Sequence, residues 1–486
     1  MDKQKILLIN PPIRETAPPA MFPSGLGYIA ATLLEHNYDV NVLDINGYRY
    51  DKETVKNKLR ELIWNKGFNI LGIGCLITCY NYVKWLIAII REIDPKTKVI
   101  IGGGIGSSIP ELCIEKLKAD IAVIGEGEIA IINLLEALEK NKDLSEVNSI
   151  CFKEDGKIIK TPKECRIKDI GILPFPAWHL FAMEEYIKNQ FEVEAIMEMK
   201  KNSINVIAGR GCPYHCTYCY ETFEHYATRR PVENVIEELK ILRKRYNIEI
   251  VYFTDDLFCG NKQWTLDFCD AMIRENLGII WLCCARVNVV DEELIKKMKQ
   301  AGCILLNYGI ESGSQKMLDI MKKGVTTEQA AKAISLTRKM GLRLNTSFMM
   351  GFPEETKETL DETARFCIDN DRHLTTIFFV TPYPGTALYE QARKDGLIKD
   401  EEEYISRLGN ATEFTINLTK WSDEELFKMR DYVISKVHRG YFKKHKLEYL
   451  NWLQKKMIWY RNYIRSRGLK AFVNAKLTSI KKILSK

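Results

Sequence analysis

Short apolar runs alternate with stretches of helical periodicity over the first 150 residues of the chain. Short buried strands that alternate with helices are typical of a parallel sheet covered by helices on both faces. The pattern therefore predicts an α/β fold with a doubly wound, Rossmann-like domain over residues 1–148. The predicted strands are 5–9, 40–43, 70–73, 99–101 and 121–124, and the predicted helices are 26–36, 53–65, 82–93, 109–117 and 130–138.

A second series of strand and helix units lies between residues 199 and 400. Six units are too few for a closed eight-stranded barrel, and a barrel carries its chemistry on polar residues at the carboxyl ends of its strands. We therefore expect functional residues directly after each strand of this series. The predicted strands are 203–208, 250–253, 280–283, 304–309, 344–349 and 376–380.

Two segments, residues 149–198 and 401–486, flank this second series. The first begins with a predicted hairpin around Glu154-Asp-Gly156 and continues with Leu173-Pro-Phe-Pro-Ala-Trp178, whose two prolines favour an extended strap. The second is predicted to be helical over 423–436, with two basic amphipathic helices after residue 450. The chain is thus predicted to contain two domains, a connector and a helical basic tail.

Positive charge is concentrated in this tail. Residues 437–486 contain 14 Lys and Arg residues and one acid, Glu448, so this segment carries +13 whereas the whole chain carries +7. The tail could pack on the barrel with its charges in solvent, or it could contact a membrane surface or an anionic substrate. A nucleic-acid partner is not expected, because no recognised nucleic-acid-binding domain accompanies the basic segment.

The hydropathy of the chain and the positions of its cysteines indicate the cellular compartment in which the protein works. No apolar stretch reaches the roughly 18 residues of a membrane span, and the apolar run near the N-terminus is too short for a signal peptide. Most of the 14 cysteines lie in apolar runs, which favours a reducing compartment. We therefore expect a cytoplasmic protein, with peripheral contact at the inner membrane surface as an open alternative.

Three cysteines, Cys212, Cys216 and Cys219, form a C-x3-C-x2-C loop directly after the first strand of the second series. Three thiols can converge on one metal centre but leave a four-coordinate site one ligand short. The loop is therefore interpreted as the site of an iron–sulfur cluster with one open iron. Zinc with His215 or His225 as the fourth ligand, and a disulfide with a spare thiol, are the alternatives.

The cysteine loop resembles the signature of the radical SAM superfamily, C-x3-C-x-aromatic-C, with Tyr218 in the aromatic position. Further motifs of that family match the ends of later strands, namely Phe-x-Asp-Asp at 253–256, Gly-x-Glu-Ser at 309–312, Gly-x-Pro-x-Glu-Thr at 351–356 and Pro-Gly-Thr at 384–386. The resemblance implies an open, six-stranded (β/α)6 partial TIM barrel over residues 199–400.

The resemblance also implies cofactors and contacts. Cys212, Cys216 and Cys219 would hold a [4Fe-4S] cluster whose fourth iron chelates S-adenosylmethionine (SAM), and Tyr218 would lie against the adenine. The other implied SAM contacts are Asp255 and Asp256 at the methionine ammonium, Arg286 at the carboxylate, Glu311 and Ser312 at the ribose, and Gly351 and Pro353 at the adenine. Asp256 could instead contact the substrate.

The first domain resembles the cobalamin-binding domain that precedes the radical SAM core in one large subfamily. The resemblance rests on Pro11-Pro12, Gly25-Leu-Gly27-Tyr28, the glycine run from Gly102 and Gly125-Glu-Gly-Glu128. The Asp-x-His-x-x-Gly motif that supplies a cobalt ligand is absent, as is common in the subfamily. Cys75 and Cys79 could alternatively form a thiol pair or metal site. The implied cobalamin contacts are Asn10, Cys75, Leu76, Ile77, Thr78, Gly102, Gly103, Gly104, Gly125 and Glu126.

Taken together, the resemblance implies a radical SAM enzyme that cleaves SAM to a 5′-deoxyadenosyl radical. It would methylate, with cobalamin, an unactivated carbon of a small-molecule, lipid or peptide substrate, using electrons from a low-potential donor such as flavodoxin or ferredoxin. Alternatives are a non-methylating rearrangement, cyclisation or oxidation, and an oxidoreductase with a vestigial first domain. An alternative of another class is a zinc or redox nucleic-acid-binding module, which the basic tail suggests.

Overall fold

Strands and helices alternate along both halves of the chain. The computed structural model describes residues 4–15, 18–164, 166–189, 199–220, 223, 225–374, 376–409, 413–448 and 450. The strands are β1 Lys5–Asn10, β2 Asp39–Asp44, β3 Ile70–Gly74, β4 Lys98–Gly102, β5 Ile121–Val123, β6 Ile150–Glu154, β7 Lys157–Lys160, β8 Ser203–Val206, β9 Gly209–Arg210, β10 Thr228–Arg229, β11 Ile250–Phe253, β12 Ile280–Ala285, β13 Cys303–Glu311, β14 Arg343–Met350 and β15 Phe378–Phe379.

The α-helices are α1 Ser24–Glu35, α2 Ile45–Tyr48, α3 Lys52–Arg60, α4 Tyr80–Ile93, α5 Gly103–Ser108, α6 Pro110–Glu115, α7 Gly127–Glu139, α8 Met183–Lys188, α9 Val232–Tyr246, α10 Lys262–Glu275, α11 Glu292–Gln300, α12 Gln315–Ile320, α13 Thr327–Lys339, α14 Lys357–Asp369, α15 Ala387–Lys394, α16 Glu401–Ser406 and α17 Asp423–Lys444. A π-helix, Glu61–Asn65, continues α3, and 3-10 turns lie at Ile77–Cys79, Leu144–Glu146, Ile170–Ile172, Trp178–Leu180 and Phe258–Gly260.

The first five strands form a parallel sheet in the order β2-β1-β3-β4-β5. Along β1, Ile6 and Leu8 face the core that α1 and α7 complete, whereas Leu7 and Ile9 face the core that α3 and α4 complete. Each of these four side chains is at most 2% exposed, and such burial stabilises a fold by about 1.5–3 kcal/mol per side chain. The doubly wound domain is thus confirmed, and its strand order reverses between β1 and β3, where such sheets bind ligands.

The predicted hairpin continues this first sheet. β6 pairs antiparallel with β5, with Ile121 opposite Phe152, and β7 pairs with β6. The strap that follows is held by burial of Trp178 and by the hydrogen bond from Ala177 N to Gly27 O, 3.0 Å. The connector therefore packs on the first domain.

The second sheet is parallel and has six strands in the order β8-β11-β12-β13-β14-β15. On its helix-covered face, Phe253 packs against Phe268 of α10 and against Trp281, with ring centroids 5.4 and 5.8 Å apart. The opposite, concave face is apolar at one end, where Ile250, Leu282 and Leu305 are buried together. This sheet confirms the predicted six-stranded partial barrel.

The tail begins with α17, which covers the predicted helix 423–436 and packs on α14. Tyr432 of α17 donates a hydrogen bond to Asp361 of α14, 2.7 Å, and Lys436 forms an ion pair with the same carboxylate. The predicted basic helices of residues 451–486 lie outside the described residues. Within the part of the chain that the structure describes, no helix combines the length and apolarity that a membrane crossing requires.

Candidate active site

The cysteine loop leaves the carboxyl end of β8 and is held by main-chain hydrogen bonds. Gly211 N donates to Asp256 Oδ2 at 3.0 Å, and Thr217 N donates to Met321 O at 3.0 Å. Gly211 adopts φ +79°, where a Cβ atom would collide with Tyr226 O, so only glycine fits. Cys212, Cys216 and Cys219 are all at least partly exposed, so the three thiols remain accessible to a ligand.

The spacing of the three thiols in the loop suits an iron–sulfur cluster with one open iron. A structural zinc site brings four ligands to one ion, whereas each thiolate of a four-iron cluster binds a different iron. Among the described residues, no three His, Cys, Asp or Glu side chains gather closely enough to hold a single metal ion. His225, a candidate zinc ligand, has its Nδ1 2.7 Å from Tyr214 O and lies against His215, with ring centroids 3.8 Å apart.

Arg286, predicted at the carboxylate of SAM, lies beside this loop. Its guanidinium stacks on the Tyr214 ring, 3.5 Å from the centroid, and its Nη1 is 3.7 Å from Cys216 Sγ. Nη2 donates to Lys323 O. Arg286 is 7% exposed and thus places a buried positive charge next to one of the three predicted cluster ligands.

Asp255 and Asp256 follow β11 and both point towards the start of the cysteine loop. Asp255 Oδ2 accepts a hydrogen bond from Ala208 N, 3.1 Å, but within the described chain its Oδ1 has no hydrogen-bond partner, and Arg229 Nη1 is 3.7 Å away. Burial raises the pKa of Asp255 to about 6, although the Arg229 charge opposes the shift. A buried carboxylate oxygen that accepts no hydrogen bond can accept one from the ammonium of SAM.

Lys323, which belongs to none of the motifs found in the sequence, joins Tyr218 and Glu311. Lys323 Nζ is 3.2 Å from both Tyr218 OH and Glu311 Oε1, and Lys323 is only 7% exposed. Glu311 has φ +74°, a left-handed conformation that is costly for a residue other than glycine. The Tyr218 ring meets Phe352 edge to face, with centroids 6.0 Å apart. The lysine therefore orders two of the predicted SAM contacts.

The remaining predicted SAM contacts serve the local fold. Ser312 Oγ is 3.1 Å from Thr363 Oγ1 and accepts a hydrogen bond from Ser314 N, so its ribose contact stays a prediction. Gly351, at φ +99°, donates to Glu355 Oε2 at 3.1 Å. Burial raises the pKa of Glu355 to about 7. Pro353 lies in the same loop, and its adenine contact likewise stays a prediction.

The glycine loops of the first domain form an open cradle. A Cβ atom at Gly102 or Gly125 would meet nothing within 4 Å, whereas at Gly103 it would come within 2.9 Å of Cys75 O. Leu76 lies beside Gly104 and is 52% exposed. Ile77 and Thr78 follow in the 3-10 turn after β3. An exposed apolar side chain beside bare backbone is a surface that a large planar ligand can cover.

Two predicted cobalamin contacts have other partners. The Asn10 amide donates to Asp44 Oδ1 at 2.8 Å and to Tyr186 OH at 2.9 Å, and Glu126 pairs with Arg210. Their contact with cobalamin stays a prediction. Cys79 is buried and donates to Pro12 O, while a hydrogen bond with Cys79, together with burial, raises the pKa of the Cys75 thiol.

The sequence reasoning missed several residues that link these parts. They come from distant positions. Tyr220 and Arg210 flank the cysteines in the loop, and Glu128 ends the Gly125-Glu-Gly-Glu128 motif, so these three residues carried a signal in the sequence that could have singled them out. Tyr220 OH donates to Gly104 O at 3.4 Å, which places the cysteine loop next to the glycine cradle. The missed residues are Arg210, Tyr220, Arg229, Lys323 and Glu128.

Comparison with known proteins agrees with both halves of this arrangement. Residues 206–367 match the Radical SAM superfamily and residues 12–135 match the B12 binding domain. An uncharacterized methyltransferase of Pyrococcus horikoshii is 31% identical over 405 residues, which cover 82% of this chain and 85% of that protein. An anaerobic magnesium-protoporphyrin IX monomethyl ester cyclase of Rubrivivax gelatinosus is 26% identical, with 88% of this chain and 75% of the cyclase covered.

Among solved structures, the radical S-adenosylmethionine methyltransferase TsrM from Kitasatospora setae, with cobalamin and a [4Fe-4S] cluster bound, has the same fold. The TM-score is 0.67 at 19% identity, and the match covers 81% of this chain and 75% of TsrM. The fold, both domain matches and the close sequence relative agree, and the chain belongs to the radical SAM superfamily, among its members with an N-terminal B12-binding domain.

Proposed function

We propose that this protein is a cobalamin-dependent radical SAM methyltransferase. The observation that carries the proposal is the contact between the two candidate cofactor surfaces, in which Tyr220, next to Cys219, donates to Gly104 of the glycine cradle. When bound, the cluster, SAM and cobalamin would supply a 5′-deoxyadenosyl radical and a transferable methyl group. The chain's own part is to hold these groups close together and to exclude water between them.

The barrel residues would bind SAM by charge and shape. Cys212, Cys216 and Cys219 would hold the cluster, and the guanidinium of Arg286 would lie beside Cys216. Asp255 Oδ1, which accepts no hydrogen bond within the described residues although Arg229 lies 3.7 Å away, would accept one from the SAM ammonium. Lys323 would keep Tyr218 against the adenine.

The cradle would bind cobalamin through backbone and apolar contact. Gly102 and Gly125 leave open space above the strand ends, and Ser107 Oγ ties the two loops by accepting a hydrogen bond from Gly125 N at 2.9 Å. Leu76 would cover one face of the ligand. Because the Asp-x-His-x-x-Gly motif is absent, no histidine of that motif would bind cobalt here.

The substrate would be a small molecule that reaches the concave face of the barrel, between the two cofactor surfaces. Four polar, uncharged side chains lie on neighbouring strands of the barrel: Tyr252 OH is 3.4 Å from Cys284 Sγ, and Asn345 donates to Asn307 at 3.1 Å. Uncharged dipoles suit a neutral substrate group. The zinc or redox nucleic-acid-binding alternative is not retained, because both domain matches and the exposed cysteine loop favour the enzyme.

Electrons would come from a low-potential protein such as flavodoxin or ferredoxin. The tail would reach anionic lipid through the basic residues of 437–486. Sedimentation with anionic liposomes tests this contact, with a chain ending at residue 450 as the control. Equal recovery of both proteins in the supernatant would contradict it.

The function itself is tested by anaerobic reconstitution of the full chain with iron and sulfide. We expect a reducible cluster in the paramagnetic resonance spectrum, formation of 5′-deoxyadenosine from SAM, and a spectral change on titration with hydroxocobalamin. A protein that binds no hydroxocobalamin but still cleaves SAM would contradict the methyltransferase and leave a cobalamin-independent radical SAM enzyme.

A further inference from the structure

Three charged side chains form a buried contact between the cysteine loop and the B12-binding domain. Arg210, in the barrel, lies 2.9 Å from Glu126 and pairs with Glu128 through two hydrogen bonds. The side chains of Arg210, Glu126 and Glu128 are 8%, 13% and 4% exposed. We call these three residues the interdomain clamp.

The buried charges of the clamp are compensated by ion pairs and hydrogen bonds. Burial would lower the pKa of Arg210, but the Glu128 and Glu126 carboxylates raise it above its ordinary value. The guanidinium also lies 5.4 Å from the centre of the Tyr28 ring. Glu126 Oε2 accepts a further hydrogen bond from Ile167 N, 2.9 Å. Removal of the arginine would leave two carboxylates buried together without a cation, which is strongly unfavourable.

The clamp joins the two candidate cofactor loops by short lengths of chain. Arg210 is two residues before Cys212, and Glu126 directly follows Gly125 of the glycine cradle. Glu128 lies in the first turn of α7. A change in the spacing of these charges would therefore move the cysteine loop relative to the cradle.

We propose that Arg210 is a positioning residue that fixes the distance between the cluster and cobalamin. This inference rests on the proposed function, since it assigns a task to the spacing of its two cofactors. The clamp joins one loop of each domain and includes none of the three cysteines, so its loss should separate the two surfaces while the cysteines still assemble their cluster.

The first test is hydrogen–deuterium exchange of the full anaerobic chain, without added cobalamin. Arg210→Gln should speed exchange about tenfold or more in peptides that cover residues 22–28 and 125–135, because local opening exposes their amides. Arg210→Lys, which keeps one ion pair, should give an intermediate rate. Arg91→Gln is the matched control, since Arg91 holds Asp120 and Thr97 within the first domain. Unchanged exchange at the interface of Arg210→Gln, or an equal increase in the control, would overturn the proposal.

The second test measures the distance between the cluster and cobalamin. In protein loaded with cob(II)alamin and reduced cluster, magnetic coupling broadens the cobalamin resonance, and this broadening should shrink in Arg210→Gln and return in Arg210→Lys. Iron content should stay at the wild-type level in both. Retained broadening in Arg210→Gln would overturn the proposal that Arg210 fixes this distance. Failure of wild-type protein to bind hydroxocobalamin would instead overturn the proposed function, and the exchange experiment would still decide on the clamp.

Discussion

The cysteine residues of this chain differ sharply in their surroundings. Cys216 is partly exposed beside Arg286, whereas Cys113 is fully buried and the pKa of its thiol is raised by burial. Cys216→Ala should therefore lose most of its iron and all cleavage of SAM after anaerobic reconstitution, while Cys113→Ala should keep both. Iron and sulfide analysis, with chromatography for 5′-deoxyadenosine, provides the measurement. Wild-type iron content in Cys216→Ala would contradict the ligand assignment.

We expect Asp255 to make both SAM binding and the stability of the protein depend on pH. Because its pKa of about 6 lies above the ordinary value of 3.8, the folded protein prefers the protonated carboxyl. Its contribution to stability is complete below pH 3.8 and is lost as the pH rises through about 6. SAM affinity should increase as the pH rises through about 6, because only the ionised carboxylate pairs with the ammonium.

Asp255→Asn should weaken SAM binding at pH 8 by about tenfold, the usual effect of losing a charge-assisted hydrogen bond. It should also remove the step near pH 6 from the binding curve. Equilibrium dialysis of the reconstituted protein between pH 5 and 8 measures both effects, with Asp256→Asn for comparison. An unchanged step in Asp255→Asn would assign the titration to another group.

At the residue level, the sequence predicted a site residue only where that residue belongs to a local motif. The cysteines, Asp255 and Glu311 belong to short patterns with fixed spacing, so the sequence alone pointed to them. Lys323 has no such pattern: it follows Lys322 and looks like a surface residue, and only the fold brings it between Tyr218 and Glu311. Ser312 matches a motif, yet its hydroxyl bonds Thr363.

The secondary structure elements followed the apolar pattern closely. Strands of both sheets lie where apolar runs predicted them, because each is buried between helices or on the barrel face. β8 and β15 are shorter than predicted: β8 ends at Val206 where 203–208 was predicted, and only 378–379 of the predicted 376–380 pair with β14. Both are edge strands of the second sheet, with one neighbour each. The pairing of β6 with β5 depends on long-range contacts that periodicity does not encode.

The glycine cradle can be tested at the level of its loop. Gly103 and Gly67 both have positive φ, but a Cβ atom at Gly103 would press on Cys75 O whereas at Gly67 it would meet nothing. Gly67→Ala should cost only the backbone strain of about 1 kcal/mol and leave hydroxocobalamin binding unchanged. Gly103→Ala should lose more unfolding free energy and bind hydroxocobalamin more weakly. Equal behaviour of the two variants in denaturation and titration would contradict the cradle.

At the scale of the whole molecule, the function depends on two domains held face to face. The sequence identified both domains, but not the contacts between them, because these join residues that are far apart in the chain. Arg210 pairs with carboxylates 82 and 84 positions away, and Asn205 donates to Phe22 O at 3.0 Å. Such pairs have no local periodicity and appear only once the fold is known.

The central claim is that SAM and cobalamin act together to methylate a carbon atom. The most direct measurement is mass spectrometry of a small-molecule cell extract incubated with reconstituted enzyme, reductant and SAM that carries a trideuteriomethyl group. We predict that a compound gains the labelled methyl group only when hydroxocobalamin is present and the cysteine loop is intact. Formation of 5′-deoxyadenosine with no labelled compound, or labelling that does not require cobalamin, would contradict the account.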